Sequence, residues 1–362
     1  MDDKLTAPDI LTEHRAKIIE CKISGLSVRK AAEILSEYTG KTVTYNSMRT
    51  CYERVDQGME EAQYFSSWEQ VQEITDDDEE IPITELIRQR IKANKRKQVK
   101  SSRHRRILEM PPEPFGIFVI GDPHIDNDGC DMKQLSYHVD LVSKYDGVYA
   151  ACVGDIQDNW IGRLARLYAN ASVTASDGWR LSEWLLSSLN YICIVGGNHD
   201  AWAHGPGVDP LAWLSRRTQV MCYAPDELRI TFRFKGRPDL EELIWVCRHD
   251  FKGRSFYHPT HGVHKEAMLD GKCHLLTAGH LHQWGQLSTE QRHKRITHAV
   301  RVRGYKKVDR YAMEKGFPSQ DFGASCLIAI QPEITGPGRI QIFWNVEQGL
   351  DFVAWLRDKK KA

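Results

Sequence analysis

Between residues 117 and 282 the chain repeats one pattern five times: a short apolar or β-branched run that stops abruptly at aspartate, asparagine or histidine. Ile117-Phe118-Val119-Ile120 leads into Gly121-Asp122-Pro123-His124, and Val148 to Val153 leads into Gly154-Asp155-Ile156-Gln157-Asp158. Tyr191 to Val195 leads into Gly196-Gly197-Asn198-His199-Asp200. Leu243 to Cys247 ends in Arg248-His249-Asp250, and Leu275 to Ala278 in Gly279-His280-Leu281-His282. Runs of this length predict buried strands, and open α/β sheets bind ligands at the carboxyl ends of their strands. Any one of these endings reads as a capping aspartate or a satisfied core histidine. Five in succession do not.

Helical spacing separates the strands. Met132 to Lys144, Gly178 to Asn190 and Val208 to Arg217 predict helices, the second strongly apolar through Trp179, Leu181, Trp184, Leu185, Leu186 and Leu189. Leu228 to Phe234 alternates like a half-buried strand, Ala324 to Ile330 and Arg339 to Trp344 close a second sheet, and Leu350 to Lys361 predicts a final helix.

The front of the chain is patterned differently. From Asp9 to Val55 the spacing predicts three helices: one through Ile10, Leu11, His14, Ile18 and Ile19 closed by Gly25, one after Ser27 as N-cap and ended by Gly40, and one from Thr44 to Val55. An acidic block, Asp76 to Glu80, and Pro82 then mark an exposed linker. Thr84 to Leu108 predicts a helix dense in arginine and lysine, which suits either a phosphate backbone or a solvated tether. The predicted divisions are a helical domain at 1–58, a charged linker with a basic helix at 59–112, and a catalytic domain at 113–362.

Composition narrows the class. The 362 residues carry 49 basic and 49 acidic side chains, so net charge argues neither for nor against a polyanionic partner. Nine cysteines are scattered singly without a Cys-x-x-Cys pair, which predicts reduced thiols rather than disulfides or a zinc knuckle. The polar amino terminus and the lack of a long apolar run predict a cytoplasmic protein with no membrane association. Carboxylate, amide and imidazole donors without thiolate suit hard or borderline divalent metals.

The ordered set Asp-x-His, Gly-Asp-x-x-Asp, Gly-Asn-His-Asp, His, Gly-His-x-His resembles the calcineurin-like metallophosphoesterases, with motifs from about Phe115 to His282. The resemblance implies a four-layer αββα sandwich, an α/β fold, here preceded by a small all-α domain. It implies that Asp122, His124 and His282 hold one metal, that Asn198, His249 and His280 hold a second, and that Asp155 bridges both. His199 would face the leaving group as a catalytic residue, with the Asp158 carboxylate orienting it. Two such cations, about 3.5–4 Å apart, hold phosphate oxygens, lower the pKa of a water and offset charge in an in-line displacement. The expected cofactors are two divalent ions, Mn²⁺ by preference, with Fe²⁺ or Zn²⁺ as alternatives. The second motif ends Asp158-Asn159-Trp160 rather than Asp-Arg-Gly, which argues against the Ser/Thr protein phosphatase branch.

Substrate contacts are expected at Arg163, at His261 rather than His258 or His264, and at Arg301 and Arg303. The last two belong to a basic stretch running from Arg292 to Arg310 around Tyr305, which reads as the rim of a polyanion site or as a surface hairpin. Gly25 to Leu35 resembles the entry to helix-turn-helix domains of invertase and repressor type, although the connection from Ser36 to Val43 is longer than usual. That resemblance makes Asn46, Arg49 and Arg54 candidate DNA contacts; a helical bundle for protein contacts is the alternative. The expected activity is a DNA phosphodiesterase (endonuclease, nickase or exonuclease), of a kind expected in phage or prophage DNA metabolism and so in a host cytoplasm. The alternatives are a phosphomonoesterase or cyclic-nucleotide phosphodiesterase, and a DNA-binding adaptor with a non-catalytic metal site.

Overall fold

The computed structural model describes residues 4–66, 81–102, 104–205, 208–255, 257–291, 295–307 and 321–361. The acidic block at 76–80 and the basic positions Arg292, Lys294 and Arg310 lie outside them. Contacts divide the chain into two units, Met1–Gln89 and Arg90–Ala362.

The first unit begins with β1 (Lys4–Leu5), α1 (Ala7–Glu13) and α2 (Arg15–Ile23), and continues with α3 (Val28–Thr39), β2 (Thr42–Val43) and α4 (Tyr45–Ser66). The helix expected from Ile10 to Gly25 is therefore two helices, broken at His14. No glycine or proline marks the break, and Ile10 and Ile18, one on either side of it, are both fully buried. Ser27 caps α3 by accepting from Lys30 N, and Gly40 closes it at φ +67°. β1 and β2 form a short parallel ladder that the sequence pattern did not suggest. Ile10, Ile18, Leu35, Met48 and Val55 lie in this unit's core.

A basic helix, α5 (Ile83–Ser102), precedes β3 (Arg105–Met110). Thr84 to Leu108 is thus not one helix: its last residues pair in parallel with a distant strand, Arg105 opposite Arg229. The elements that follow are β4 (Phe115–Ile120), α6 (Met132–Val142), β5 (Val148–Cys152), α7 (Ala175–Ser187), β6 (Tyr191–Val195) and α8 (Asn198–Trp202). Next come α9 (Pro210–Arg217), β7 (Cys222–Ala224), β8 (Glu227–Phe234), β9 (Leu243–Arg248), α10 (His261–Asp270) and β10 (Leu275–Ala278). The chain ends with β11 (Gly285–Glu290), β12 (Ile296–Arg301), β13 (Ser325–Ile330), β14 (Ile340–Phe343) and α11 (Val346–Lys361).

Two six-stranded mixed sheets result, ordered β14-β13-β4-β5-β6-β7 and β11-β12-β10-β9-β8-β3. Alternation along the strands decides which face each side chain takes. Ile117 and Val119 of β4 meet Ile230, Phe232 and Trp245 of the other sheet in a shared core. Phe118 and Ile120 point the opposite way, against Leu135, Leu185, Leu350 and Val353 of α6, α7 and α11. On the outer face of the second sheet, Val246, Leu276 and Ala299 pack on Val263 and Ala267 of α10. Helix, sheet, sheet, helix: the order is that of a four-layer α/β sandwich. All nine cysteines are buried and unpaired. Among the described residues no helix is long and apolar enough to cross a membrane.

Candidate metal centre

The strands that carry the five polar endings are β4, β5 and β6 of one sheet and β9 and β10 of the other, parallel within each sheet. Their carboxyl ends therefore open on one edge of the sandwich. The side chains there converge on Asp155. His249 Nε2 lies 3.2 Å from Asp155 Oδ2, 3.1 Å from Asn198 Oδ1 and 3.1 Å from His280 Nδ1. His124 Nε2 faces the same carboxylate oxygen at 3.9 Å, and the ring of His282 stacks on that of His124 with centroids 5.2 Å apart. Asp122 Oδ1 lies 3.6 Å from His249 Nδ1, and its other oxygen accepts from the His280 backbone N–H. Two groups of donor atoms close enough to share an ion are His124, Asp155 and His199, and Asp155, His249 and His280. Asp155 belongs to both.

The backbone bends unusually to achieve this. Asp122, His124, Asp155, His280 and His282 all have positive φ, between 37° and 71°; only Asn159 and Gln219 share this among the other described non-glycine residues. Such conformations cost free energy and concentrate where a site overrides local preference. Asp200 holds the bend after β5: its carboxylate accepts from the backbone N–H of Asp155 (2.8 Å), Ile156 (3.1 Å) and Gly197 (2.8 Å). Gly197 is required by space. A Cβ there would sit 2.1 Å from Asp155 Oδ1 and 2.6 Å from its backbone nitrogen. Gly197→Ala is expected to lower stability by about 1–3 kcal/mol and to reduce the bound metal per chain; thermal melts with elemental analysis check both.

The donor chemistry fits divalent ions. Asp122 Oδ1 and His124 Nε2 are buried without a hydrogen-bond partner, a costly state for polar atoms unless something occupies the space between them. His249 Nδ1 is 2.7 Å from the Val153 carbonyl, so Nδ1 carries the proton and Nε2 turns a lone pair inward. Burial disfavours a charged His249, yet Asp155 outweighs burial and pushes the imidazole up to about 10. A cation would replace that extra proton, since one lone pair cannot serve both. Burial raises Asp122 to about 7. Burial also opposes the Asp155 carboxylate, but His249 and His124 hold it well below the usual carboxylate range.

His199 packs edge-on against His124, with ring centroids 4.8 Å apart, and shares the first group of donor atoms with it. Its Nδ1 contacts the Asp158 backbone carbonyl, and its backbone N–H donates to Asp155 Oδ1 at 2.9 Å. Two indoles flank the ring, Trp202 at 4.2 Å and Trp160 at 4.8 Å between centroids. Burial pushes His199 down to about 4. The expectation that the Asp158 carboxylate orients His199 is corrected. That carboxylate is taken by His124 Nδ1 at 2.7 Å, by Lys306 Nζ at 3.0 Å and by the Asn127 amide, which leaves the carbonyl to hold His199.

The expected substrate arginines divide. Arg163 is exposed in a 3₁₀ segment, Gly162–Asn170, and His261 is exposed at the start of α10. Arg301 and Arg303 are corrected: they are 0% and 2% exposed and bind protein, not a surface rim. Arg301 donates to the Pro259 and Gly279 carbonyls and to Asp250, and Arg303 to the Phe322 carbonyl. Tyr305 and Lys306 are buried with them; Ile296–Arg301 does form the second arm of an antiparallel hairpin with β11, but Thr297 to Arg301 of that arm are buried. Asn46, Arg49 and Arg54 are exposed on α4, with Arg49 paired to Glu53 at 2.9 Å. Sequence reading missed Lys306, Trp160 and the exposed Arg254, whose Nη2 lies 3.2 Å from His280 Nε2. For Arg254 the position five residues beyond His249, in a glycine-containing loop, was the available signal.

No protein-family model and no curated protein matches the sequence. Solved structures similar in part include a conserved Streptococcus pneumoniae protein described as a predicted phosphoesterase, with 13% identity over 64% of this chain and 97% of that one, TM-score 0.31. The Pseudomonas putida nuclease MPE is 12% identical over 63% of this chain and 86% of that one, TM-score 0.29. Haemophilus influenzae NAD nucleotidase is 11% identical over 63% and 49% of the two chains, TM-score 0.33. Scores this low assign neither activity nor ligand; the chemistry of the site rests on the chain's own side chains.

Proposed function

We propose that the protein is a metal-dependent phosphoesterase, and within that class a two-metal phosphodiesterase acting on DNA. The observation that carries the reading is the convergence of six oxygen and nitrogen donor residues, with Asp155 itself a seventh, at five strand ends. Asp122, His124 and His282 would hold one divalent ion and Asn198, His249 and His280 the other, with Asp155 shared. Such a pair neutralises a phosphate and stabilises the charge that develops on it. The protein supplies the rest. His199 has Nδ1 tied back to the Asp158 carbonyl, which leaves Nε2 as the nitrogen suited to proton delivery to a departing alkoxide. With its pKa near 4 the ring carries no second proton at neutral pH until an anionic ester lies beside it, since a nearby negative charge favours the imidazolium. Arg254 stands at the mouth beside His280 and suits a phosphate oxygen.

DNA is favoured by charge placement outside the catalytic unit's core. Arg90, Lys92 and Lys95 of α5 are exposed, as are Asn46, Arg49 and Arg54 of α4. Mn²⁺ is the ion proposed, and the compartment proposed is the cytoplasm. The test supplies the full-length protein with Mn²⁺ and, in parallel, supercoiled plasmid, single-stranded oligonucleotide, bis-nitrophenyl phosphate and nitrophenyl phosphate. Nicking or degradation of DNA together with diester cleavage is expected. Cleavage of the monoester alone overturns the diesterase reading. Inertness toward all four with Mn²⁺ bound overturns hydrolysis and leaves an adaptor. Replacing both Arg49 and Arg54 by alanine is expected to weaken duplex binding and flatten its salt dependence; unchanged binding removes α4 from the interface.

A further inference from the structure

β3 closes one end of the second sheet, with β8 on one side and, among the described residues, no strand on the other. Its ladder to β8 is parallel, with Arg105 opposite Arg229 and Met110 opposite Phe234. Arg229 N–H donates to the His104 carbonyl and Lys235 N–H to the Met110 carbonyl, both at 2.9 Å. The even-numbered residues therefore turn their backbone groups toward β8, and by alternation Arg105, Ile107 and Glu109 turn theirs to the open edge. Such a row of donors and acceptors is a template for another strand, which proteins blunt by shortening the edge, bulging it or breaking it with proline. The edges of the first sheet, β7 and β14, are three and four residues long. β3 runs for six residues in unbroken register, with neither proline nor glycine. Arg106 Nη1 donates to the Arg105 carbonyl at 3.1 Å, a contact that a flexible side chain yields to an incoming backbone.

The side chains on this edge specify the partner. Arg105, Ile107 and Glu109 share the outer face of the sheet and are all exposed, Ile107 at 59%. They read positive, apolar, negative. When a second copy of the strand lies antiparallel beside the first with the two Ile107 residues opposite, Arg105 of each chain faces Glu109 of the other. In that register the outward backbone groups also meet as the closely spaced, hydrogen-bonded pairs of an antiparallel ladder. Sliding the strands by two residues sets Ile107 against a charge, and sliding them by four sets like charge against like. Within one chain both charges stand beside arginines that are already engaged. Arg105 neighbours Arg229, held by Asp270 at 2.8 Å, and Glu109 neighbours Arg233, held by Glu242 at 2.6 Å.

We propose that β3 is a docking edge for a second copy of this chain: two β3 strands pair antiparallel about a twofold axis, Ile107 on Ile107 and Arg105 on Glu109, and join two second sheets into one. The same patch serves both chains, so the assembly closes at two and does not propagate. One strand pair buries less than a standard interface, so the dimer is reversible and depends on concentration. The proposal is independent of the metal-centre reading.

The full-length protein is followed by sedimentation velocity over a concentration series, and circular dichroism confirms that each variant folds. The unaltered chain is expected to pass from monomer to dimer as concentration rises. Arg105→Glu and Glu109→Arg each set like charges opposite one another twice in the dimer, and each is expected to raise its dissociation constant about 10-fold. Mixed together, the two variants are expected to form a heterodimer, because each then faces the charge its own copy lacks. Ile107→Pro is expected to abolish pairing. Its nitrogen faces the open edge, so the ladder to β8 keeps its bonds while the new ladder loses a donor. Should Ile107→Pro not fold, the two charge reversals, both at exposed positions, decide. A chain that stays monomeric up to its solubility limit overturns the proposal. So does a dimer unmoved by either reversal, or a mixture of the two variants that associates no better than each alone.

Discussion

Asp155→Ala is expected to leave no turnover above the metal-free level, while each neighbouring ligand change leaves a remnant. The reason is position. Asp155 is the one side chain common to both groups of donor atoms, and it is 2% exposed with His249 at 3.2 Å and His124 at 3.9 Å. Its loss withdraws negative charge from two sites at once and leaves the imidazoles facing one another without it. Two cations held close repel strongly, and a shared carboxylate is what makes their proximity tolerable. Bound metal counted by mass spectrometry under native conditions should fall from two per chain to one or none. Asp122→Ala, which removes a carboxylate from one side only, should retain one ion. If Asp155→Ala keeps both ions, the shared-carboxylate geometry is wrong.

His199→Gln is expected to behave oppositely: two metals still bound, and turnover reduced by about 10²–10⁴-fold, the usual worth of a positioned acid or base. The prediction sharpens with the leaving group. A nitrophenolate departs without needing a proton, whereas a nucleoside alkoxide does not, so the loss should be large for an oligonucleotide and small for the nitrophenyl diester. Rates for both substrates, measured at saturating Mn²⁺, decide the matter. An equal loss on the two would remove the proton-delivery role and leave His199 as a phosphate contact held between Trp160 and Trp202.

The strand ends were legible because burial on both faces leaves a continuous apolar run, and such a run makes each polar ending conspicuous. The expected helices from Met132, Gly178 and Val208 correspond to α6, α7 and α9 for the same kind of reason: their large residues recur at the period that lines one face. What escaped was set by contacts between distant residues. β3 alternates as Arg-Arg-Ile-Leu-Glu-Met, but its basic start merges with the run of α5. Only pairing with β8, more than a hundred residues later, makes it a strand. Arg301, Arg303 and Lys306 read as surface because charge ordinarily stays wet; carbonyls and carboxylates contributed by separate loops reverse that. The Asp158 role differed because a motif position fixes where a residue stands and not which of its oxygens a neighbour takes. The left-handed bends at Asp122, His124, Asp155, His280 and His282 leave no mark in a sequence at all.

Three of the strands that feed the cluster belong to one sheet and two to the other, so the ligands straddle the seam between the halves of the sandwich. Ions held there, as the proposed metal centre would hold them, would act as a clasp across that seam. Bound only by the folded state, they would stabilise it by mass action, and the heat tolerance of the unit would then rise with metal supply. In a metal-starved cell the first casualty would be the joint between the sheets, and loss of activity and loss of the folded protein would arrive together.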